Sequence, residues 1–397
     1  MSELYTLPDG WEWKKLGDIT TVIGGGTPRT NIKEYWENGN IIWLSPTDLG
    51  NIGEIISINN SKTKITKLGL EKSSAKLLPI GTVLFSSRAT IGKIAINEIE
   101  VSTNQGFTNF ICKNLLLNKY LAFCLNRFTS DITDLSNSTT FKEVSKSSLK
   151  DFKIPLPPLE EQKRIVTKLN NLFTQIDKSI ALHQKNIDEA NVFMASVLND
   201  VFVELEEKYE KKQLSEIVIF GGKNISTLEY PNLIYFSLED IEAQTGRILN
   251  CKTVNEAGVK GTAVRFDENV VLYSKLRPYL NKVIVPNLEG CSTTELVVLK
   301  PKDKLDKYFL ASYLRSSNIV NFLNNDSMGA KMPRTNMKTF RNLEISFPPY
   351  ETQQKVVSYL DEISQKMEKI KQIQKEKMQS LKALKASILD QAFKGEL

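Results

Sequence analysis

Residues 154–166 read IPLPPLEEQKRIV, and residues 345–357 read ISFPPYETQQKVV. The two stretches lie 191 residues apart, and each carries a Pro-Pro pair, Pro157-Pro158 and Pro348-Pro349. Downstream the same offset recurs, SVLNDVF at 196–202 returning as SILDQAF at 387–393. Upstream, WLSPTDL (43–49) matches YFSLEDI (235–241), VLFSSR (83–88) matches VLYSKLR (271–277), and STNQGF (102–107) faces STTELV (292–297). Even the openings agree, KKLGDITTVIGGG at 14–26 against KQLSEIVIFGGK at 212–223. Self-similarity on this scale means one structural unit used twice. Each copy is a strand-rich block, a Pro-Pro turn and a long helical stretch.

The helical stretches show in their apolar spacing. After the first Pro-Pro turn, Ile165, Leu169, Leu172, Ile176, Ile180, Ile187, Ala190, Met194, Val197 and Val201 keep steps of three, four or seven, with a stutter at Ile176–Ile180. The second stretch repeats the rule at Val356, Leu360, Ile363, Met367, Ile370, Leu381, Leu384 and Ile388, interrupted at Gln374 and Lys377. A helix of about 40 residues is about 60 Å long, too long to bury inside one domain. The two apolar stripes are expected to bury each other as a coiled coil. Because each block precedes its helix, an antiparallel pair is expected, with Leu169, Leu172 and Ile176 near the C-terminal half of the second helix.

Between the helices, short β-branched runs such as Thr82–Ser86, Lys93–Asn97, Val270–Tyr273 and Lys282–Val285 read as strands. Short helices are expected near Lys119–Arg127 and Lys307–Arg315. The expected class is therefore mixed α/β (α+β), a pseudo-two-fold repeat of two blocks alternating with two long helices. Its boundaries are 1–158, 159–208, 209–349 and 350–397.

Composition narrows the function. The 397 residues carry 52 Lys+Arg against 46 Asp+Glu and a single histidine, a net charge of +6. By segment, Lys+Arg minus Asp+Glu is +3 for 1–158, −3 for 159–208, +4 for 209–349 and +2 for 350–397. The surplus on the two blocks suits two polyanion-facing surfaces, though ordinary solubilising charge has the same sign. No apolar run is long enough for a membrane helix and no signal-peptide pattern opens the chain. Cys112, Cys124, Cys251 and Cys291 are scattered, with no Cys-x-x-Cys. Reduced thiols, a cytoplasmic location and no protein-built metal site are expected. Neither G-x-G-x-x-G after a strand nor G-x-x-x-x-G-K-[ST] occurs, so nucleotide and methyl-donor pockets lack their usual signatures. FPPY (347–350) has the outline of an amino-methyltransferase motif, but Phe347 cannot accept the hydrogen bond that chemistry needs, and the first copy reads LPPL (156–159). A rigid turn into a helix accounts for both.

Over essentially its whole length the chain resembles the specificity subunit of type I restriction-modification systems, HsdS. The residues that carry the resemblance are the doubled IPLPPLEEQKRI/ISFPPYETQQKV boundary, GWEWKKLGDI (10–19), GGGTP (24–28), and FSSRATIGKIAI (85–96) followed by NQGF (104–107). The resemblance implies two target-recognition domains, each gripping one half of a bipartite, asymmetric site in double-stranded DNA. It implies helical spacers packed antiparallel that dock two modification (methyltransferase) subunits, with restriction (translocase/nuclease) subunits joining later. The chain would then be non-catalytic, bind no cofactor itself, and leave S-adenosylmethionine, ATP and Mg to its partners, which together form an adenine-N6 methyltransferase and endonuclease. TELV and SKLRPYLNKV in the second half depart from NQGF and SSRATIGKI in the first, so the halves are expected to read different sequences.

The candidate DNA-facing residues follow from chemistry. In GGGTP, the glycines could cradle a phosphate or simply turn the chain, with Thr27 and Arg29 beside them. Ser86, Ser87 and Arg88 close a strand, and Lys275 and Arg277, with Tyr279 and Asn281 following, hold the related place in the second half. Arginine can bind guanine bidentately or hold a phosphate, and serine serves either. Asn104 and Gln105 could read adenine edges or form a turn. The polar, basic segments Ser138–Lys146 and Gly329–Lys338 contribute Lys142, Lys331 and Arg334. His183, on the apolar stripe, is expected to be a packed or partner-facing residue. Leu169, Leu172, Ile176, Leu360, Ile363 and Met367 are expected to pack helix on helix. Phe173, Phe193, Phe202 and Phe393 are candidates for contact with modification subunits or for closing the pseudo-ring.

Overall fold

A computed structural model describes residues 5–136, 142–329 and 331–397. The chain divides into two units: Met1–Leu182 with Lys377–Leu397, and His183–Glu376. Each unit joins one strand-rich block to the beginning of one long helix and the end of the other. The long helices run Leu159–Lys208 and Tyr350–Lys394, 50 and 45 residues.

Within the first unit, Thr20–Gly24, Phe107–Cys112, Val83–Ser86, Ile94–Asn97 and Ile55–Ile58 form a five-stranded sheet in that order. Its last pair is parallel and the others antiparallel. A smaller sheet orders Lys64–Ile65, Ile41–Leu44 and Val101–Thr103, the last pair parallel with Leu44 opposite Thr103. The strand leading into the Pro-Pro turn, Lys153–Leu156, pairs with Glu12–Lys15. The helix Asn118–Arg127 buries Tyr120 through Leu125 against this framework.

In the second unit the same core returns: Val218–Phe220, Leu296–Pro301, Val271–Ser274 and Val283–Ile284 in sheet order. Phe236 of Ile234–Phe236 lies opposite Ser292 in a parallel pair, and Lys211–Gln213 pairs with Glu344–Ser346. The additions differ. The first unit adds Ile55–Ile58 to its main sheet, whereas the second adds Lys223–Ser226 and Thr262–Phe266 to its other sheet. The parallel-strand registers also correct the upstream alignment. Thr103 corresponds to Ser292, so STNQGF and STTELV match one residue out of step with the sequence reading.

The helices run antiparallel, as each unit shows by itself. In the first, Arg164 donates to the Leu397 carbonyl (2.9 Å) and Lys385 contacts Asp177 (2.8 Å), so numbers rise on one helix as they fall on the other. Leu169, Phe173 and Ile176 share a buried cluster with Leu389, Ala392 and Phe393, with Leu172 half-buried against it. In the second, His183 Nδ1 meets Gln374 Oε1 (2.5 Å), and Lys371 Nζ donates to Asn191 Oδ1 (3.1 Å). His183 and Gln374 stand 191 residues apart, the repeat offset itself, so at this layer a residue meets its own repeat mate. Gln374 interrupts the apolar stripe because it is the polar partner there. Leu360 is buried beside Phe202, while Ile363 and Met367 are half-buried.

The phenylalanine expectations divide. Phe173, Phe202 and Phe393 are not partner-facing, because the chain's own blocks cover them. Phe393 is fully buried with ring centroids 5.3 Å from Tyr120 and 6.3 Å from Phe128, and its mate Phe202 lies 4.8 Å from Tyr313 and 5.5 Å from Phe309. Long apolar rings near a helix end could face either way in sequence, and the short helix of each block is what claims them. Phe193 remains 50% exposed.

Candidate nucleic-acid interface

Both blocks build one corner the same way. In the first, Ser87 donates its amide to Gly106 (2.9 Å) and accepts from Val144 (2.9 Å), and Ala89 donates to the Lys142 carbonyl (2.9 Å). In the second, Lys275 donates to Glu295 (3.1 Å) and accepts from Thr335 (2.8 Å), and Arg277 donates to the Pro333 carbonyl (2.7 Å). Every bond has its counterpart, so Ser87 corresponds to Lys275 and Ala89 to Arg277. The corner gathers the strand end, the following turn, the turn before Phe107 or Leu296, and the loop before the Pro-Pro strand. Arg88, Asn104, Gln105 and Lys142 are brought together in one unit, as Lys275, Arg277, Tyr279 and Arg334 are in the other. Ser138–Phe141 of the expected first loop, and Ala330 of the second, lie outside the described residues.

Several candidates prove to be framework. Ser86 and Ser87 are buried: Ser86 Oγ donates to the Thr90 carbonyl (2.5 Å) and accepts from Lys93 (2.8 Å), and Ser87 Oγ accepts from Thr108 (3.0 Å). Asn281 is buried too, its Nδ2 donating to the Arg315 carbonyl (3.0 Å). A hydroxyl or carboxamide at a strand end satisfies nearby backbone groups first. These three therefore do not face DNA. Asn104 closes a turn, its Oδ1 accepting from Gly106 (2.8 Å), while Gln105 is exposed and joined to Thr27. The GGGTP loop is no phosphate cradle either. The Gly26 amide donates to Thr103 (2.8 Å), and a Cβ on Gly25 would lie 1.9 Å from the Asn104 carbonyl oxygen. Those glycines let two backbones touch. Arg29 is exposed, and its carbonyl accepts from Trp36 (3.1 Å).

The exposed cations are Arg29, Arg88, Lys142, Arg277, Lys331 and Arg334, with Lys275 half-buried. Two of them carry acids that sequence reading did not single out. Arg88 pairs with Glu143 (3.5 Å) and Arg334 with Glu295 (3.1 Å). Glu143 and Arg334 hold equivalent places on the loop with opposite charge, but their partners do not correspond, since Arg88 matches Leu276 and Glu295 matches Gly106. The hydrogen bond to Glu295 raises Arg334 above its ordinary value. Lys93 and Lys282 were also missed: Lys93 Nζ donates to the carbonyls of Pro46 (3.0 Å) and Leu49 (3.3 Å), and Lys282 Nζ to that of Leu238 (2.6 Å). Their signal was the lysine that ends the turn sequence in both copies.

The Cys112 and Cys291 thiols are poorly suited to nucleophilic work, since burial pushes Cys112 up to about 12 and Cys291 up to about 11.

The sequence profile described as the type I restriction modification DNA specificity domain matches residues 8–191 and again 206–377. The MjaIX specificity subunit of a type I restriction enzyme from Methanocaldococcus jannaschii is 30% identical over all of this chain and 95% of its own length. The EcoR124I/EcoR124II specificity subunit from Escherichia coli is 33% identical over 45% of this chain and 46% of its own. Among solved structures, a chain from work on complex assembly and conformational transition of the type I R-M system aligns with a TM-score of 0.76, at 23% identity over 99% of this chain and all of that one. The HsdS subunit from Thermoanaerobacter tengcongensis gives 0.56, also at 23% identity, over 100% and 99%. With the duplicated profile falling on the duplicated fold, this chain belongs to the type I restriction-modification DNA specificity family.

Proposed function

We propose that this chain reads a bipartite, asymmetric sequence in double-stranded DNA, one half per block, on behalf of a type I restriction-modification complex. The observation that carries the reading is the doubled corner. One hydrogen-bonded frame occurs twice, and its exposed side chains differ: Arg88 and Thr90 on one copy, Arg277 and Tyr279 on the other. A frame repeated with changed outward residues suits two half-sites of different sequence.

In this reading the chain performs no chemistry of its own and works in the cytoplasm. Two modification subunits dock on the long helices and restriction subunits join them, with S-adenosylmethionine, ATP and Mg used by those partners. Support for docking comes from apolar side chains exposed on both helices, among them Val192 (70%), Phe193 (50%) and Tyr359 (49%). Among the described residues, no helix is long and apolar enough to cross a membrane.

A band-shift with the chain and its modification subunits tests the reading. Retardation of DNA holding the host's methylated sequence, resisted by a scrambled duplex of equal length, is expected. Equal retardation of both would refute it.

A further inference from the structure

Beyond block-level recognition, the structure points to one short turn in each block. In the first, the turn runs from Arg88 to Gly92; in the second, from Leu276 to Asn281. Each is bounded by two left-handed residues: Ala89 (φ 60°) and Gly92 (φ 100°), against Arg277 (φ 52°) and Asn281 (φ 49°). Lys93 and Lys282, one residue beyond, pin the far end through the carbonyl contacts given above. Residue Ser86 or Ser274 pins the near end, its hydroxyl donating to Thr90 (2.5 Å) or Leu276 (2.9 Å).

What lies between the left-handed points differs. The first turn has Thr90-Ile91, with Ile91 buried and Thr90 exposed. The second has Pro278-Tyr279-Leu280, one residue longer, with Pro278 buried and Tyr279 45% exposed. The arginine also moves by one position. Arg88 precedes the left-handed residue, whereas Arg277 occupies it, a conformation that costs a side-chain-bearing residue energy. A non-glycine residue held there marks a constrained site.

The longer turn is braced from behind. Gln244 donates its amide to the Leu280 carbonyl (3.0 Å) and its Nε2 to that of Tyr279 (2.9 Å), and Arg315 donates to Thr245 (2.8 Å). Gly246 (φ 67°) makes room for this brace, since a Cβ there would lie 2.2 Å from the Val283 carbonyl oxygen. The turn's backbone is thus held from behind, while Arg277 and Tyr279 stay exposed. A rigid turn offering a bidentate donor and an exposed aromatic is suited to base edges.

We propose that these turns are the base-reading inserts of a common frame: Arg277 and Tyr279 set the specificity of the second block, and Arg88 and Thr90 that of the first. The proposal rests on the DNA-reading function above and narrows it to a few residues per block. Arg277 fits guanine O6 and N7, and the Tyr279 ring fits an apolar contact such as a thymine methyl.

The test uses the full chain with its modification subunit in cells, mapping methylated adenines by sequencing. Arg277→Gly keeps the left-handed backbone without steric cost, and Tyr279→Ser removes the ring. Each should relax one or two base positions of one half-site by at least about tenfold, leaving the other half-site unchanged. Thr90→Val should alter only the opposite half-site. An unchanged sequence with uniformly weaker methylation, or no change at all, would overturn the proposal. If the wild-type chain directed no sequence-limited methylation, the DNA-reading function itself would fail instead.

Discussion

Gln162 and its repeat mate Gln353 are fully buried at the base of the long helices, and each makes the same three hydrogen bonds. Gln162 Nε2 donates to the carbonyls of Leu115 and Pro157, and Oε1 accepts from the Leu117 amide, all at 2.9 Å. Gln353 Nε2 donates to Lys304 (2.8 Å) and Pro348 (2.9 Å), and Oε1 accepts from Asp306 (2.8 Å). The carboxamide therefore ties the Pro-Pro turn to the segment entering each block's short helix. Gln162→Leu keeps most of the volume but strands one amide and two carbonyls at a fully buried position. Each stranded group costs about 1–3 kcal/mol, and the carbonyls sit at the lower end, so about 3–5 kcal/mol is expected. For a unit of this size each kcal/mol lowers Tm by about 2–4 °C, which gives a drop of about 10 °C. Hydrogen exchange on the full chain localises the effect. Protection should fall by at least about two orders of magnitude around residues 115–125 and 154–169. Gln353→Leu should do the same around 304–314 and 345–360. A Tm shift below about 2 °C, or both variants loosening the same segments, would refute the reasoning.

Phe393→Ala should destabilise the chain by about 3–5 kcal/mol, because it leaves a cavity between Tyr120 and Phe128; differential scanning fluorimetry reads this. Phe193→Ala, at a half-exposed position, should shift Tm by no more than about 2 °C and instead weaken capture by the modification subunit. Gln374→His would set two imidazoles against each other at the layer where His183 meets its repeat mate. Each imidazolium disfavours the other, so the folded chain binds protons less readily than the unfolded one, whose histidines titrate near 6.5. Stability is then present above about pH 6.5 and lost as pH falls through it, by about 1 kcal/mol. Urea midpoints at pH 7.5 and 5.5 should separate in this variant by more than in the wild type, and equal separations would argue against that register.

The duplication, the long helices and their antiparallel pairing were legible because they rest on long periodic patterns and one offset. The strands around Val83–Ser86 and Val271–Ser274 were legible for the same reason, as β-branched runs with clear breaks. Side-chain direction was not. Ser86, Ser87 and Asn281 are polar and lie beside exposed cations, yet each turns inward, Ser86 and Asn281 to backbone carbonyls and Ser87 to the Thr108 hydroxyl, partners that only the fold brings near. The glycines of GGGTP left a phosphate cradle and a simple turn both open, and neither reading showed that they allow contact with a segment about 80 residues away in sequence. The one-residue slip between STNQGF and STTELV had a related cause. Turn lengths differ between the blocks, so the offset that holds for the helices drifts inside them, and only strand pairing reveals by how much. Gln162 and Gln353 stood in plain view in the repeated stretch, but a lone glutamine carries no chemistry until its partners are known.

The central claim is that each block reads its own half of the DNA site on a shared frame. Replacing residues 209–344 with the corresponding block of a relative of different specificity, and sequencing methylated adenines in cells carrying the modification subunit, tests it most directly. The account predicts that one half-site changes to the donor's while the other stays as it was. A change in both half-sites together, or in neither, would contradict it.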